Sequence, residues 1–115
     1  MDKISVVVPV HNGRRFLRKT IRGILNQDYK NLEVILVENF SEDNSLELCR
    51  DIQKEDDRVL VVTSEERGTS LARKKGVENA SGKYILFSDQ DDYYVSKSSI
   101  RKMHDAIVED DVQVV

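Results

Sequence analysis

Apolar residues fall along this chain in two alternating registers. Short runs rich in β-branched side chains occupy residues 4–10, 33–37, 59–63, 84–87 and 112–115, each about the length of a β-strand. Between them the apolar positions recur at three and four residues. Phe16, Leu17, Ile21, Ile24 and Leu25 share one face of a helix across 14–27, and Leu46, Cys49 and Ile52 do the same in the next interval. Gly68-Thr69-Ser70 predicts the start of a third helix, which Gly82 is expected to close after Ala80, and residues 97–109 read as a fourth. Asn12-Gly13 and the polar stretch 41–45 are expected to cap the first two helices.

Strands alternating with helices of ten or more residues pair in parallel through right-handed crossovers, so the predicted fold is α/β: a doubly wound, mostly parallel sheet with helices on both faces. In such sheets ligands bind beyond the carboxyl ends of the strands. Those ends read Pro9-Val10-His11-Asn12-Gly13, Glu38-Asn39-Phe40-Ser41, Ser64-Glu65-Glu66-Arg67-Gly68 and Ser88-Asp89-Gln90-Asp91-Asp92. Polar side chains therefore converge on one rim, a placement that many unrelated chemistries share.

Composition narrows the classes. With 115 residues the chain holds one domain, 1–115. Its longest apolar run is about five residues, far short of the roughly 20 that span a bilayer. The start of the sequence has no signal-peptide pattern, and a cytoplasmic location is expected. A single cysteine, Cys49, excludes an internal disulfide and reads as a small buried side chain. A net charge of −3 gives no bulk attraction to nucleic acid, so no nucleic-acid partner is expected.

The densest chemistry lies in SDQDDYY, residues 88–94. Asp89, Asp91 and Asp92 place three carboxylates within four residues, and these repel unless a cation or a shared proton offsets them. An all-oxygen set of this kind suits Mg²⁺ or Mn²⁺, which bind through one or two carboxylates, waters and substrate phosphates. The structural alternative is an acidic turn capping the helix that follows. An EF-hand loop starting at Asp89 fails, because Tyr94 and Ile100 stand where Gly and Glu are needed. A phosphate-binding loop ending in Gly82-Lys83 also fails: five residues separate its glycines, and a strand follows it.

The linked motifs ISVVVPVHNG (4–13), ILNQDYKNLEVILV (24–37), SEDNS (41–45), Gly68 with Ala72-Arg73 and Gly76, and SGKYILFSDQDD (81–92) resemble the family 2 glycosyltransferases. The resemblance runs in order through nearly the whole chain. It implies a GT-A fold, of which this chain would be the N-terminal, nucleotide-sugar-binding half. It also implies inverting transfer of a sugar from a nucleoside diphosphate donor, UDP-linked by default, to an acceptor hydroxyl on a saccharide or lipid-linked glycan of the cell envelope. By the same likeness Asp89, Asp91 and Asp92 match an Asp-x-Asp-Asp segment that holds a divalent cation, Mg²⁺ or Mn²⁺, against the donor diphosphate. Pro9, His11 and Asn12 match the segment shaping the nucleoside pocket, with His11 where many relatives have Tyr. Arg73 matches an arginine near the donor nucleotide.

The pattern departs from the family after the second strand. Relatives commonly read Asp-Asp-Gly-Ser, where an acid of the pair accepts a hydrogen bond from uracil; here Glu38-Asn39-Phe40-Ser41 stand instead. Asn39 accepts through its amide oxygen without a full charge, and also donates. The general base of an inverting transferase falls, in the family, after the metal motif, so the chain is expected to be part of a longer enzyme and inactive alone, with its last strand an edge open to self-association. A basic first helix with Arg14, Arg15, Arg18, Lys19 and Arg22 suits the anionic inner face of a membrane, or else is an ordinary solvated face. Two rival readings are a nucleotide-sugar-binding module without catalysis and a receiver-like signalling domain. The latter lacks its acidic pair, His11-Asn12 standing there.

Overall fold

The computed structural model describes residues 2–90 and 98–110. The proposed ligands Asp91 and Asp92 and the predicted strand 112–115 lie outside the described residues. The elements run β1 (Ile4–Val10), α1 (Arg14–Leu25), β2 (Leu32–Glu38), α2 (Ser45–Glu55), β3 (Val59–Thr63), α3 (Thr69–Glu78), β4 (Tyr84–Phe87) and α4 (Ser99–Asp110).

The four strands form one parallel sheet in the order β3-β2-β1-β4. This is the order of the first four strands of a dinucleotide-binding sheet. In a receiver-like domain β1 would lie between β2 and β3; here it lies between β2 and β4, which removes that reading.

Alternation along each strand decides which helices cover which face. Val6, Val8, Val10, Val34 and Leu36 pack with Leu17, Ile21 and Ile24 of α1, Cys49 and Ile52 of α2, and Ile100 of α4. The intervening Val7, Ile35 and Val37 pack against Ala72 of α3 on the other face. Burying each large aliphatic side chain stabilises by about 1.5–3 kcal/mol, so both stripes must face the sheet for the chain to fold. Cys49 is buried as expected, and desolvation pushes its thiol up to about 12.

Two of the expected start and stop signals act differently. Asn12 does not cap α1, and Gly13 at the N-cap has no side chain to do so. Instead Asp43 serves both helices: one carboxylate oxygen accepts from Arg14 N at 3.1 Å, the other from Ser45 N at 3.1 Å and from the Ser45 hydroxyl. Gly82 does not end α3, which closes at Glu78 with Asn79 as C-cap. A Cβ at Gly82 would lie 2.6 Å from Ser5 Oγ and 2.7 Å from Ser5 N, so the glycine lets the chain enter β4 hard against β1.

Register then aligns the carboxyl ends. Val10 lies opposite Glu38, and Glu38 opposite Thr63. Phe87 ends β4 opposite Val7, but the chain continues beside β1: Ser88 N donates to Val7 O at 3.0 Å. Residues 9–13, 38–41, 64–68 and 88–90 thus share one edge, as the pattern predicts.

Candidate functional site

The first loop of this edge is organised around His11 and Asn12. His11 is exposed, and its Nδ1 lies 2.6 Å from the carbonyl oxygen of Asn39. A carbonyl only accepts, so Nδ1 carries a proton and donates to it, while Nε2 lies 3.4 Å from the Asn12 side-chain amide nitrogen. Asn12 adopts φ 50, a left-handed conformation that asparagine tolerates. Its side-chain oxygen accepts from Glu42 N at 2.7 Å, and its own N–H donates to Ser41 Oγ at 2.9 Å. Asn12 therefore pins the second loop to the first instead of facing open space.

The second loop sorts its two polar residues in opposite ways. Glu38 is buried, and its carboxylate accepts from Ser41 N at 2.7 Å, which closes the turn. Asn39 is only 7% exposed; its N–H donates to Val10 O and its carbonyl accepts from His11. Its side-chain oxygen is buried and, among the described residues, has no hydrogen-bond partner. Such an orphan costs about 1–3 kcal/mol, which an incoming N–H donor would offset.

Asn39 is among the residues that line two adjoining depressions. One, of about 180 Å³, is lined by Pro9, Val10, His11, Asn39, Thr69, Asp89 and Gln90. The other, of about 250 Å³, is lined by His11, Asn39, Arg67, Gly68 and Thr69. The N-terminus of α3 borders both. It begins at Gly68, φ 125, without a side-chain cap, and helix N-termini attract anions. One turn into α3, the Arg73 guanidinium lies 3.9 Å from the Asp89 carboxylate and 5.8 Å from the centre of the Phe87 ring. Both charged groups are about half exposed or more, at 46% and 68%, so the pair adds little stability and leaves both reachable by a ligand.

Of the residues singled out in the sequence, the structure gathers Pro9, His11, Asn39 and Asp89 around one depression and sets Arg73 against Asp89. Asn12 and Glu38 are turned into the loop scaffold instead. Among the described residues no group of three His, Cys, Asp or Glu forms a metal cluster, and of the three aspartates only Asp89 is described. Sequence reasoning missed Thr69, Arg67 and Gln90. Gln90 clasps the first loop through both ends of its amide, accepting from His11 N and donating to His11 O, each at 2.8 Å.

Comparison with known proteins agrees with this geometry. The family model described as Glycosyl transferase family 2 matches residues 5–115. The glycosyltransferase GlyA of Streptococcus pneumoniae is 40% identical over 108 residues, covering 94% of this chain and 15% of that protein. Among solved structures, S. aureus TarS 1–349 in complex with UDP overlays at a TM-score of 0.80 with 26% identity, covering 93% of this chain and 32% of that one. The mannosyltransferase PcManGT of Pyrobaculum calidifontis, in complex with GDP-Man and Mn²⁺, overlays at 0.87 with 22% identity, covering 92% and 32%. The GT-A fold expected from the motifs is therefore the observed one. This chain spans less than a third of the length of each of these proteins. A family match across almost every residue, on a sheet whose carboxyl edge carries the polar rim, makes this chain a member of glycosyl transferase family 2.

Proposed function

We propose that this chain is the donor-binding part of an inverting glycosyltransferase. It would hold a nucleoside diphosphate sugar, UDP-linked by default, for transfer to a hydroxyl of a saccharide or lipid-linked glycan. The observation that carries this reading is the orphaned side-chain oxygen of Asn39, buried at the carboxyl edge of the sheet and next to His11. A heterocyclic N–H is a donor of the right kind for it, and the exposed His11 ring offers a flat face for a base or ribose. The UDP bound by TarS, which shares the fold and 26% of its aligned sequence, supports the same assignment.

The diphosphate would lie between the uncapped start of α3 and Arg73. A guanidinium and a helix N-terminus both favour phosphate oxygens. Asp89, whose carboxylate is 68% exposed and lies 3.9 Å from the Arg73 guanidinium, would supply an oxygen ligand to a hard divalent cation completed by waters and phosphate. Mg²⁺ or Mn²⁺ held there by Asp89, with Asp91 and Asp92, would neutralise charge on the departing diphosphate. No described helix is long and apolar enough to cross a membrane. A cytoplasmic site of action, with α1 against an anionic inner leaflet, fits the basic face of that helix.

Calorimetric titration of the chain with UDP-, GDP- and CDP-sugars, each with Mn²⁺ or with EDTA, tests the reading. Binding of at least one donor, stronger with Mn²⁺ and weakened by Asp89→Asn, is expected. Absence of binding for every donor under both conditions would leave only a scaffold and overturn it.

A further inference from the structure

The parallel ladder stops at different places on the two sides of β1. Toward β2 it runs on to Val10, opposite Glu38, and Asn39 N adds a bond to Val10 O at 2.8 Å. Toward β4 it ends at Val7, opposite Phe87, with Ser88 N donating to Val7 O. Proline accounts for the difference. Lys3 and Val7 turn their carbonyls toward β4 and Val10 turns its own toward β2, so the odd-numbered residues of β1 serve β4, and Pro9 has no N–H to give. The two chains therefore part at Pro9, and the depression of about 180 Å³ lined by Pro9, His11 and Asp89 lies where they part.

Across this gap the side chain of Gln90 replaces the missing rung. Its amide oxygen accepts from His11 N and its amide nitrogen donates to His11 O, each at 2.8 Å, while its backbone carbonyl accepts from the Thr20 hydroxyl of α1 at 2.8 Å. Three bonds thus hold the residue that follows Asp89. Gly13 leaves room for the amide: a Cβ there would lie 2.2 Å from the Gln90 side-chain oxygen and 2.6 Å from its Cδ. The φ of Gly13, −101, does not call for a glycine, so the space given to Gln90 is what this residue supplies.

We propose that Gln90 is a positioning residue: by spanning the gap that Pro9 opens, it fixes the distance between His11 and Asp89, and Gly13 is the residue that admits it. His11 and Asp89 are walls of one depression, and a ligand held by both binds more tightly when their spacing is already set, because less ordering opposes it. Gly13 lines neither depression, so it acts only through the clasp. The inference rests on the donor-binding reading and adds to it the residues that set the width of the site.

The test is calorimetric titration of UDP and GDP, with Mn²⁺, into the unaltered chain, Gln90→Met, Gly13→Ala and the double variant, well below the Tm of each. Methionine keeps the length of glutamine without its amide, and alanine at position 13 displaces the amide from His11. Each single variant is expected to bind the better nucleotide about tenfold more weakly, the scale of one or two lost hydrogen bonds. The double variant should bind no more weakly than either single one, since both remove the same clasp. Exchange of the His11 amide proton, followed by NMR, should quicken in all three. A role in folding alone would lower Tm and leave the affinity of the folded chain unchanged. If neither nucleotide binds the unaltered chain, the donor-binding reading fails and this inference with it. If nucleotide binds and either single variant holds it as tightly as the unaltered chain, or the two losses simply add, Gln90 does not set the spacing and only the inference fails.

Discussion

Replacing Gly76 by alanine should destabilise this fold, although the substitution is helix-favouring by composition. In an exposed helix interior Gly→Ala gains about 1 kcal/mol. Gly76, however, faces the sheet from α3, and a Cβ there would lie 2.3 Å from one methyl of Val7 and 3.2 Å from its other methyl and from Val37. Carbon atoms settle at about 3.5–4.0 Å, so α3 must retreat by about 1 Å or Val7 must leave its rotamer. Val7 and Val37 are fully buried and β-branched, with little freedom to turn. Overpacking of this kind costs about 1–3 kcal/mol, and set against the propensity gain it leaves a net loss of up to about 2 kcal/mol. Urea unfolding reads this directly, and thermal unfolding shows it as a drop of several degrees in Tm. The double variant Val7→Ala, Gly76→Ala supplies the control. Removing the Val7 methyls makes room for the new one, so the two changes together should cost about 1 kcal/mol or more less than their sum. Because α3 carries Thr69 and Arg73, the single variant should also bind nucleotide more weakly. A Gly76→Ala chain as stable as the original, or strict additivity in the double variant, would show that the close approach of α3 to β1 is not as described.

Asp43→Ala should cost about 1–3 kcal/mol, since it removes one side chain that serves the starts of both α1 and α2. Burial raises the Asp43 carboxyl, but bonds from Ser45 and Arg14 outweigh it and hold the group below its ordinary value. Its stabilisation is therefore complete above the ordinary carboxylate range and lost as pH falls through the lowered value, so the Asp43→Ala stability profile should be flatter on its acid side. Cys49, its thiol pushed up to about 12 by burial, should resist alkylation at pH 8 in the folded chain and react quickly in urea; fast labelling without denaturant would contradict its placement. The exposed face of α1, with Arg15, Phe16 and Arg22, should bring the chain down with vesicles of anionic lipid but not with neutral ones. Arg15→Glu with Arg22→Glu should abolish this, and equal sedimentation with both lipids would remove the membrane reading.

The elements were legible because two periods, about two and about 3.6, leave different marks on a sequence. Strand bounds shift by a residue where Leu32 and Glu38 join the ladder, and α1 stops at Leu25 although Gln27 shares its buried face. Gln27 is buried for a tertiary reason: its side-chain oxygen accepts from Ile100 N at 3.0 Å, tying α1 to α4. Caps were misread for the same kind of reason. Local rules look for a side chain next to its own helix, whereas the first amide of α1 is satisfied by Asp43, 29 residues further on. Gly82 looked like a stop signal in one dimension and is a close contact in three. Gly76 was noticed only as part of a motif, since nothing along the chain records that a valine lies behind it.

The rim shows where a ligand belongs through the distribution of satisfied and unsatisfied groups. On the α1 and α2 side the polar groups serve one another. Asn12 holds residues 41 and 42, Glu38 holds the turn at Ser41, Asp43 and Ser45 serve the two helix starts, and Gln90 is locked to both backbone groups of His11. That half of the edge is a closed network with little left to offer a partner. Toward α3 the pattern reverses: the Asn39 side-chain oxygen has no partner among the described residues, α3 begins without a side-chain cap, and Arg67 stacks without an ion pair. Of these the Asn39 oxygen is the buried one, and such a group costs about 1–3 kcal/mol, whereas Arg67 and the start of α3 are exposed to water. These groups lie on one side, around depressions that share His11, Asn39 and Thr69, where the proposed donor would be held. The closed network beside it has a matching role. By fixing the loops of β1, β2 and β4 to one another, it holds Asn39 and Asp89 in place, so that the proposed nucleotide would find little left to order.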